Sequence, residues 1–327
     1  MRRIKGERSK AHCQVDASRA IPLRRCPCFA RVGRLELLGP CTATAGMISA
    51  QVVDRMAKWL LLSVLLIAAL GAAAWFLDPT YSVRGWLAGE SFFHGRPASY
   101  WRHALLDPAP AARTNTIKTL ADGGLAAVPV LLELLRSDSS EVRWTAADAL
   151  GQIGPDAAGA AEALGAALKD DDPLVRRVAA EALGKIGPDA RAAVPALIDM
   201  LNTEDRLHAV KALIRFRAAA RDAASALIAV LKDPSAEVRW NACEALGDMR
   251  ADAAVPALQE LLADPEDKVR EHAAEALGEI GPGARPALPA LRRLLDDPDA
   301  DVRDEAIKAI KRIDPQASLP PTKKKSD

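Results

Sequence analysis

The sequence predicts an all-α protein: a right-handed solenoid of about seven two-helix repeats, preceded by one helix long enough to cross a membrane. Three observations carry that expectation. The phrase "VRWTAADALGQIGPDA" at 142–157 returns as "VRRVAAEALGKIGPDA" at 175 and as "VREHAAEALGEIGPGA" at 269. Aligning on its arginine gives Arg113, Arg143, Arg176, Arg206, Arg239, Arg270 and Arg303, at spacings of 30, 33, 30, 33, 31 and 33. A period in the low thirties, held over seven units, is the mark of stacked helical repeats. Trp59 to Leu77, finally, is a run of nineteen residues without a charge.

Taken from the N-terminus, residues 1–55 show no helical or strand period and are rich in Arg, Gly, Pro and Ser. They read as a disordered basic segment, or as sequence upstream of a true start at Met47 or Met56. Residues 1–58 hold twelve Lys/Arg against four Asp/Glu, whereas Arg96 to Pro321 hold twenty-eight against thirty-six. An acidic main domain repels phosphate backbones, so nucleic acid is not an expected partner. Cys13, Cys26, Cys28 and Cys41 fall in this stretch, and "RCPCF" lacks the spacer and second half-site that a zinc site needs. No metal is expected.

Residues 56–78 read as a transmembrane helix, because an apolar core of about 30 Å takes roughly 20 helical residues. Trp59 at one end and Trp75 and Trp86 at the other suit interfacial positions. The alternative is a signal peptide cleaved near Ala74, although such apolar regions run only about 7–15 residues. Arg55, Lys58 and ten further basic residues precede the run, and only Arg84 and Arg96 follow within twenty residues. That bias places the N-terminus in the cytoplasm and the rest outside, on the inner membrane of a bacterium. Residues 79–97 read as a linker, 98–315 as the repeat domain and 316–327 as a disordered polar tail.

Each repeat reads as two helices. In "AAVPALIDML", Val194, Leu197, Ile198 and Leu201 fall at helical spacing, with Pro195 in the first turn where its missing N–H costs nothing. Asp-Pro turns follow at Asp172, Asp233, Asp264 and Asp297; the proline stops the first helix and nearby acids cap the second. In the second helix Val142, Ala146, Ala149, Leu150 and Ile153 share a face, Gly154 ends it and Pro155 prevents continuation. No such pair buries its stripe alone, so neighbours must stack. The third second-helix, "RLHAVKALIRFRAAA", lacks the Gly-Pro end and carries Arg215, Arg217 and Arg221.

The phrases "EVRWTAADALGQIGPDA", "LVRRVAAEALGKIGPDA" and "KVREHAAEALGEIGPGA", each joined to an "AAVPAL"-type helix, resemble the short bacterial HEAT repeats called lyase-type HEAT-like repeats. The lead-in "FFHGRPASYWRHALLD" is similar to the segment that opens such arrays in membrane-anchored proteins, with Tyr100, Trp101, Leu105 and Leu106 on a capping helix. The resemblance covers residues 98–315 and implies a fold more than a function.

On a helical wheel begun at Val142, Trp144, Ala147, Asp148 and Gly151 point away from the buried stripe. Two of those positions recur as columns that would line a concave face. One is Trp144, Arg177, Leu207, Trp240, Glu271 and Asp304; the other is Asp148, Glu181, Lys211, Glu244, Glu275 and Lys308. Two tryptophans on a charged wall are what a protein-binding hot spot presents, with packing over a neighbour's side chain as the plainer reading. The seven arginines lie at the stripe's edge, placed to pair with loop acids such as Asp138, Asp171 or Asp264 as a structural ladder. Catalysis finds little support. His12, His94, His103, His208 and His272 are scattered, Glu271-His272 is a single pair where a di-iron hydroxylase of this fold repeats its own, and Cys243 reads as a lone outward thiol. The sequence therefore predicts no cofactor and no enzyme. It predicts a membrane-tethered scaffold for a protein partner; a lyase-like enzyme subunit acting on a small ligand and an envelope spacer are the alternatives.

Overall fold

The computed structural model describes the backbone of residues 43–77 and 81–317 and the side chains of 53–73 and 81–317. The expectations for the four N-terminal cysteines, for most of the basic segment, for Trp75 and for the tail beyond Ala317 lie outside these residues. The chain divides into two compact units between Leu66 and Ile67.

Helix α1, Ala43–Leu77, starts inside the stretch read as irregular. Alanine, methionine and glutamine lengthen a helix at little cost once an apolar run has nucleated it. Within α1, Val53–Ala73 is long and apolar enough to cross a membrane, and none of this span is buried.

Residues 79–97 are not a bare linker. From Tyr81 they form helix α2, Ser82–Ala88, and a two-residue antiparallel hairpin, β1 Phe92–Phe93 with β2 Arg96–Pro97. The signal is too short for a periodicity to reveal: one buried ring, Phe93, and an indole that donates from Trp101 Nε1 to the carbonyls of Phe93 and Arg96 at 3.3 and 3.2 Å. The Ser91 N–H donates to Glu133 at 2.9 Å, which ties this cap to the first repeats.

Seven helix pairs follow. The first helices are α3 Ala98–Leu105, α5 Val128–Leu134, α7 Ala161–Ala167, α9 Val194–Met200, α11 Ala224–Val230, α13 Val255–Leu261 and α15 Leu288–Arg293. Their partners are α4 Pro110–Asp122, α6 Ser140–Ile153, α8 Pro173–Ile186, α10 Arg206–Phe216, α12 Ala236–Asp248, α14 Asp267–Ile280 and α16 Ala300–Ile313. Consecutive second helices pack side by side, and each first helix packs on the second helix of its own pair. The apolar stripes (Leu131, Leu150, Leu164, Leu183, Leu197 and Leu213 among them) are fully buried in one continuous core. Short 3₁₀ segments join most units, and Gly154, Gly187 and Gly281 turn into them with φ of +73°, +75° and +75°.

The arginines stitch unit to unit. Arg143 donates to both oxygens of Asp170 at 2.7 and 2.8 Å, Arg239 to both of Asp264 at 2.9 Å, and Arg270 to both of Asp297 at 2.8 and 2.9 Å. Arg176 pairs with Asp205 and Glu204, Arg206 with Asp233, and Arg113 with Glu141. The same aspartates accept a backbone N–H two residues on: Asp172 on Asp170, Ser235 on Asp233, Glu266 on Asp264 and Asp299 on Asp297. Each arginine of Arg143, Arg176, Arg239, Arg270 and Arg303 also sends Nη1 to two carbonyls of its own turn. Asp171, named from the sequence, is one residue beyond the acceptor that Arg143 uses, and Asp138 supplies only its carbonyl. The hydrogen bonds from Arg143 hold Asp170 below the usual carboxylate range. Burial alone would raise Asp297, but Arg270 holds it low as well.

Three outward assignments are corrected. Ala147, Gly151 and Cys243 are buried, because a second helix inside the stack is covered by its own first helix and by the second helices on both sides of it. A wheel with one buried stripe misses the flanks that face those neighbours. A Cβ built on Gly151 would stand 2.9 Å from Ala182 Cα, on Gly247 2.8 Å from Ala276 Cα, and on Gly278 2.9 Å from Ala309 Cα. Glycine there lets the backbones approach. Burial pushes the Cys243 thiol far above its ordinary range, so it is a packing residue.

Candidate functional site

The exposed flank of the second helices forms a charged wall. Positions one, five and nine residues after each ladder arginine lie one helical turn apart and share a face. The third of these columns, missed from the sequence, runs Gln152, Lys185, Arg215, Asp248, Glu279 and Arg312. One further turn added to the two columns already drawn would have revealed it.

Four grooves open on this wall. The first, about 490 Å³, is lined by Lys211, Ile214, Arg215, Trp240, Glu244 and Asp248, among others. Trp240 is half-buried and meets His272 edge to face, with ring centroids 4.9 Å apart at 81°. A second, about 720 Å³, lies between α8 and α10 around Glu181, Lys185, His208, Lys211 and Arg215. A third, about 460 Å³, takes in Arg217, Asp248, Arg250, Glu279 and Arg312, and a fourth, about 360 Å³, Glu271, Asp304, Glu305 and Lys308. Of the two columns singled out in the sequence, Lys211, Trp240 and Glu244 therefore meet in one groove, Glu181 and Lys211 in another, and Glu271, Asp304 and Lys308 in the last. Trp144, Asp148, Arg177, Leu207 and Glu275 line none of the four. Trp144 is half-buried on α6, separated from Trp240 by α8 and α10.

Charge on the wall is segregated. Lys185, Lys211, Arg215 and Arg217 make its middle basic, and part of that charge is spent locally: Lys185 pairs with Glu181 at 2.9 Å and Lys211 with Glu237 at 2.9 Å. The next two helices are acidic. Glu271, Glu275 and Glu279 stand on successive turns of α14, facing Glu244 and Asp248 of α12. Burial raises the Glu275 carboxyl, and the charges of Glu305 and Glu244 add to it. Burial likewise raises Glu279, with Asp248 and Glu275 adding. Burial lowers His208, whose Nδ1 is enclosed without a hydrogen-bond partner, as is the Nδ1 of His272.

Arg217 and Arg250 stand where α6, α8 and α14 end on glycine. Their φ values are +49° and +50°, a region where a side chain crowds its own backbone. Both line the third groove. Among the described residues no group of three or more His, Cys, Asp or Glu side chains is arranged to hold a metal ion. Glu271 and His272 remain a single pair.

A family model described as HEAT repeats matches residues 99–161, 128–214, 202–278 and 258–321. Comparison with curated proteins finds no match. Among solved structures, an archaeal HEAT-like repeats protein from Thermococcus onnurineus NA1 is similar at 17% identity, over 67% of this chain and 97% of that one, with a TM-score of 0.52. An engineered protein aligns at 25% identity over 66% and 68% of the two chains with a TM-score of 0.49. A designed armadillo repeat protein aligns at 23% over 57% and 99%, with a TM-score of 0.47. The archaeal likeness concerns the fold alone.

Proposed function

The chain belongs to the HEAT-repeat family, and from that premise we propose that it is a membrane-tethered scaffold whose second-helix wall receives a protein partner. The observation that supports this most is Trp240: a half-buried indole held edge-on by His272, at the rim of a groove with cations on one side and carboxylates on the other. Partly desolvated tryptophans ringed by polar groups are where binding energy concentrates in protein interfaces. Lys211, Arg215 and Arg217 suit acidic residues of a partner, and Glu244, Asp248 and the α14 glutamates suit basic ones. The wall's work on this reading is recognition without bond-making. Helix α1 serves as the anchor, with the basic flank of Arg55 and Lys58 inside and the repeats outside the bacterial inner membrane.

The test uses the solubilised full chain as bait on solubilised cell envelope. A captured protein is identified by mass spectrometry, purified, and titrated against wild type, Trp144→Glu/Trp240→Glu, and Glu162→Gln on the opposite helices. Binding lost only in the tryptophan variant supports the reading. Equal affinity for all three would refute the second-helix wall as the docking face.

A further inference from the structure

The cap at the start of the array carries apolar surface that the core does not use. In α2, Val83, Trp86 and Leu87 recur at i, i+3 and i+4 and so form one stripe. Trp86 is 75% exposed and Leu87 62%. On the opposite side Gly85 is buried against Pro97, so closely that a Cβ there would collide with the proline ring. The helix thus lies on the cap by its smallest residue and turns its largest outward. That pose is held from several sides. Ser82 Oγ donates to the Gly95 carbonyl at 3.3 Å, the Glu90 N–H donates to the Gly85 carbonyl at 2.9 Å, and the Glu90 carboxylate accepts the Ser99 N–H at 2.7 Å. Phe92, in the adjoining strand, adds a ring that is 39% exposed.

Two independent facts say what covers the stripe. The first is chain reach. Five residue steps separate Leu77, where α1 ends, from Ser82, where α2 begins. An extended chain covers at most about 3.6 Å per residue, so the two helix ends lie within about 18 Å of each other. Where α1 crosses a bilayer, α2 is confined to the headgroup layer or its immediate margin, the layer that tryptophan prefers. The second is charge. Residues 81–106 carry Arg84, Arg96 and Arg102 against Glu90, a balance of +2, while 107–317 carry twenty-six Lys/Arg against thirty-six Asp/Glu, a balance of −10. An anionic lipid surface therefore draws the cap in and pushes the remaining repeats away.

We propose that the Val83–Trp86–Leu87 stripe docks in the interfacial layer of an anionic bilayer and fixes the N-terminal end of the array against the membrane. The inference rests on the reading of α1 as a membrane-crossing anchor. Docking by α2 sets the orientation of the array, because the cap is bonded to the first repeats through Ser91 and Glu133.

The experiment uses the full chain reconstituted in vesicles of phosphatidylcholine and phosphatidylglycerol, with acyl chains either plain or brominated near the headgroup. Subtracting the emission of Trp86→Phe from wild type isolates Trp86, and Trp59→Phe isolates Trp59 in α1; circular dichroism checks that each variant is folded. Brominated lipid is expected to remove most of the Trp86 emission and most of the Trp59 emission, and Leu87→Glu to restore Trp86 alone. Quenching of Trp59 with Trp86 untouched overturns the docking of α2 and leaves the anchor standing. Quenching of neither overturns the anchor, and the docking with it.

Discussion

Replacing Arg239 with alanine measures how far the ladder holds the array together. The guanidinium donates Nε and Nη2 to the two oxygens of Asp264 and Nη1 to the carbonyls of Asp233 and Pro234. The two side chains are 12% and 6% exposed. Truncation leaves the Asp264 carboxylate buried with one backbone donor, the Glu266 N–H at 3.0 Å. Removing one member of such a pair costs about 3–5 kcal/mol, because the charge left behind is neither hydrated nor neutralised. Arg113 occupies the same register but pairs with Glu141 at the surface, the side chains being 35% and 44% exposed. Its loss should cost no more than about 1 kcal/mol. In thermal unfolding of residues 81–327 followed by circular dichroism, a domain this size shifts about 2–4 °C per kcal/mol, so Arg239→Ala should lower the midpoint by roughly 6–20 °C. Equal shifts for Arg239→Ala and Arg113→Ala would refute the argument that burial of the pair, rather than the motif, sets its contribution.

Three further outcomes follow from the packing and charge. Gly247→Ala would press a methyl against Ala276 and Glu279 and should cost about 1–3 kcal/mol, whereas Gly159→Ala, with open space around its Cβ, should be neutral or stabilising by about 0.4–1 kcal/mol; paired urea melts compare them. Arg217→Gly should stabilise by about 1 kcal/mol by relieving the positive φ, even as it removes a groove cation, and the same melts read it. The raised carboxyls of Glu275 and Glu279 make the fold favour their protonated forms. Their contribution is intact below the ordinary value of 4.5 and is lost as pH rises through the higher folded value. The melting midpoint of the repeat domain should therefore fall between pH 5 and neutrality by less in Glu275→Gln/Glu279→Gln than in wild type, and an unchanged slope would exclude these two groups as the source.

The repeat was legible because its determinants are local and recur: a proline in the first turn, an aspartate before the second helix, an arginine at a constant register. Seven copies average away the exceptions. Ala147, Gly151 and Cys243 were misplaced because neighbouring helices cover them, Gly151 lying against Ala182 about thirty residues on, and no single-helix wheel contains such a neighbour. The cap at 81–97 was missed for the opposite reason. It occurs once, its strands are two residues long, and its order comes from Phe93 packing on Trp101 and from the Ser91 N–H reaching Glu133 forty-two residues on. Of the wall, two columns were drawn and the third was not, so Trp240 and Lys211 were found while Asp248, Glu279 and Arg312 were overlooked. The segregation of charge along the wall depends on which helices neighbour which, and the stacking order supplies that.

In most junctions of the ladder a unit brings an arginine to one edge and a twice-used aspartate to the other. Arg303, in α16, meets no carboxylate among the described residues and settles on the carbonyls of Asp297 and Pro298. Such edges are interchangeable, like tongue and groove in boards cut to one gauge. A gene segment encoding one whole unit could be duplicated or lost and the new neighbours would still find their partners across the seam. Length is thus a quantity that inheritance can alter in steps of a unit without first solving a new packing problem. The irregular α10, with Arg217 where α6, α8 and α14 end on glycine, keeps its place through the same ladder, and its departure, like that of α12 at Arg250, lies where the grooves are.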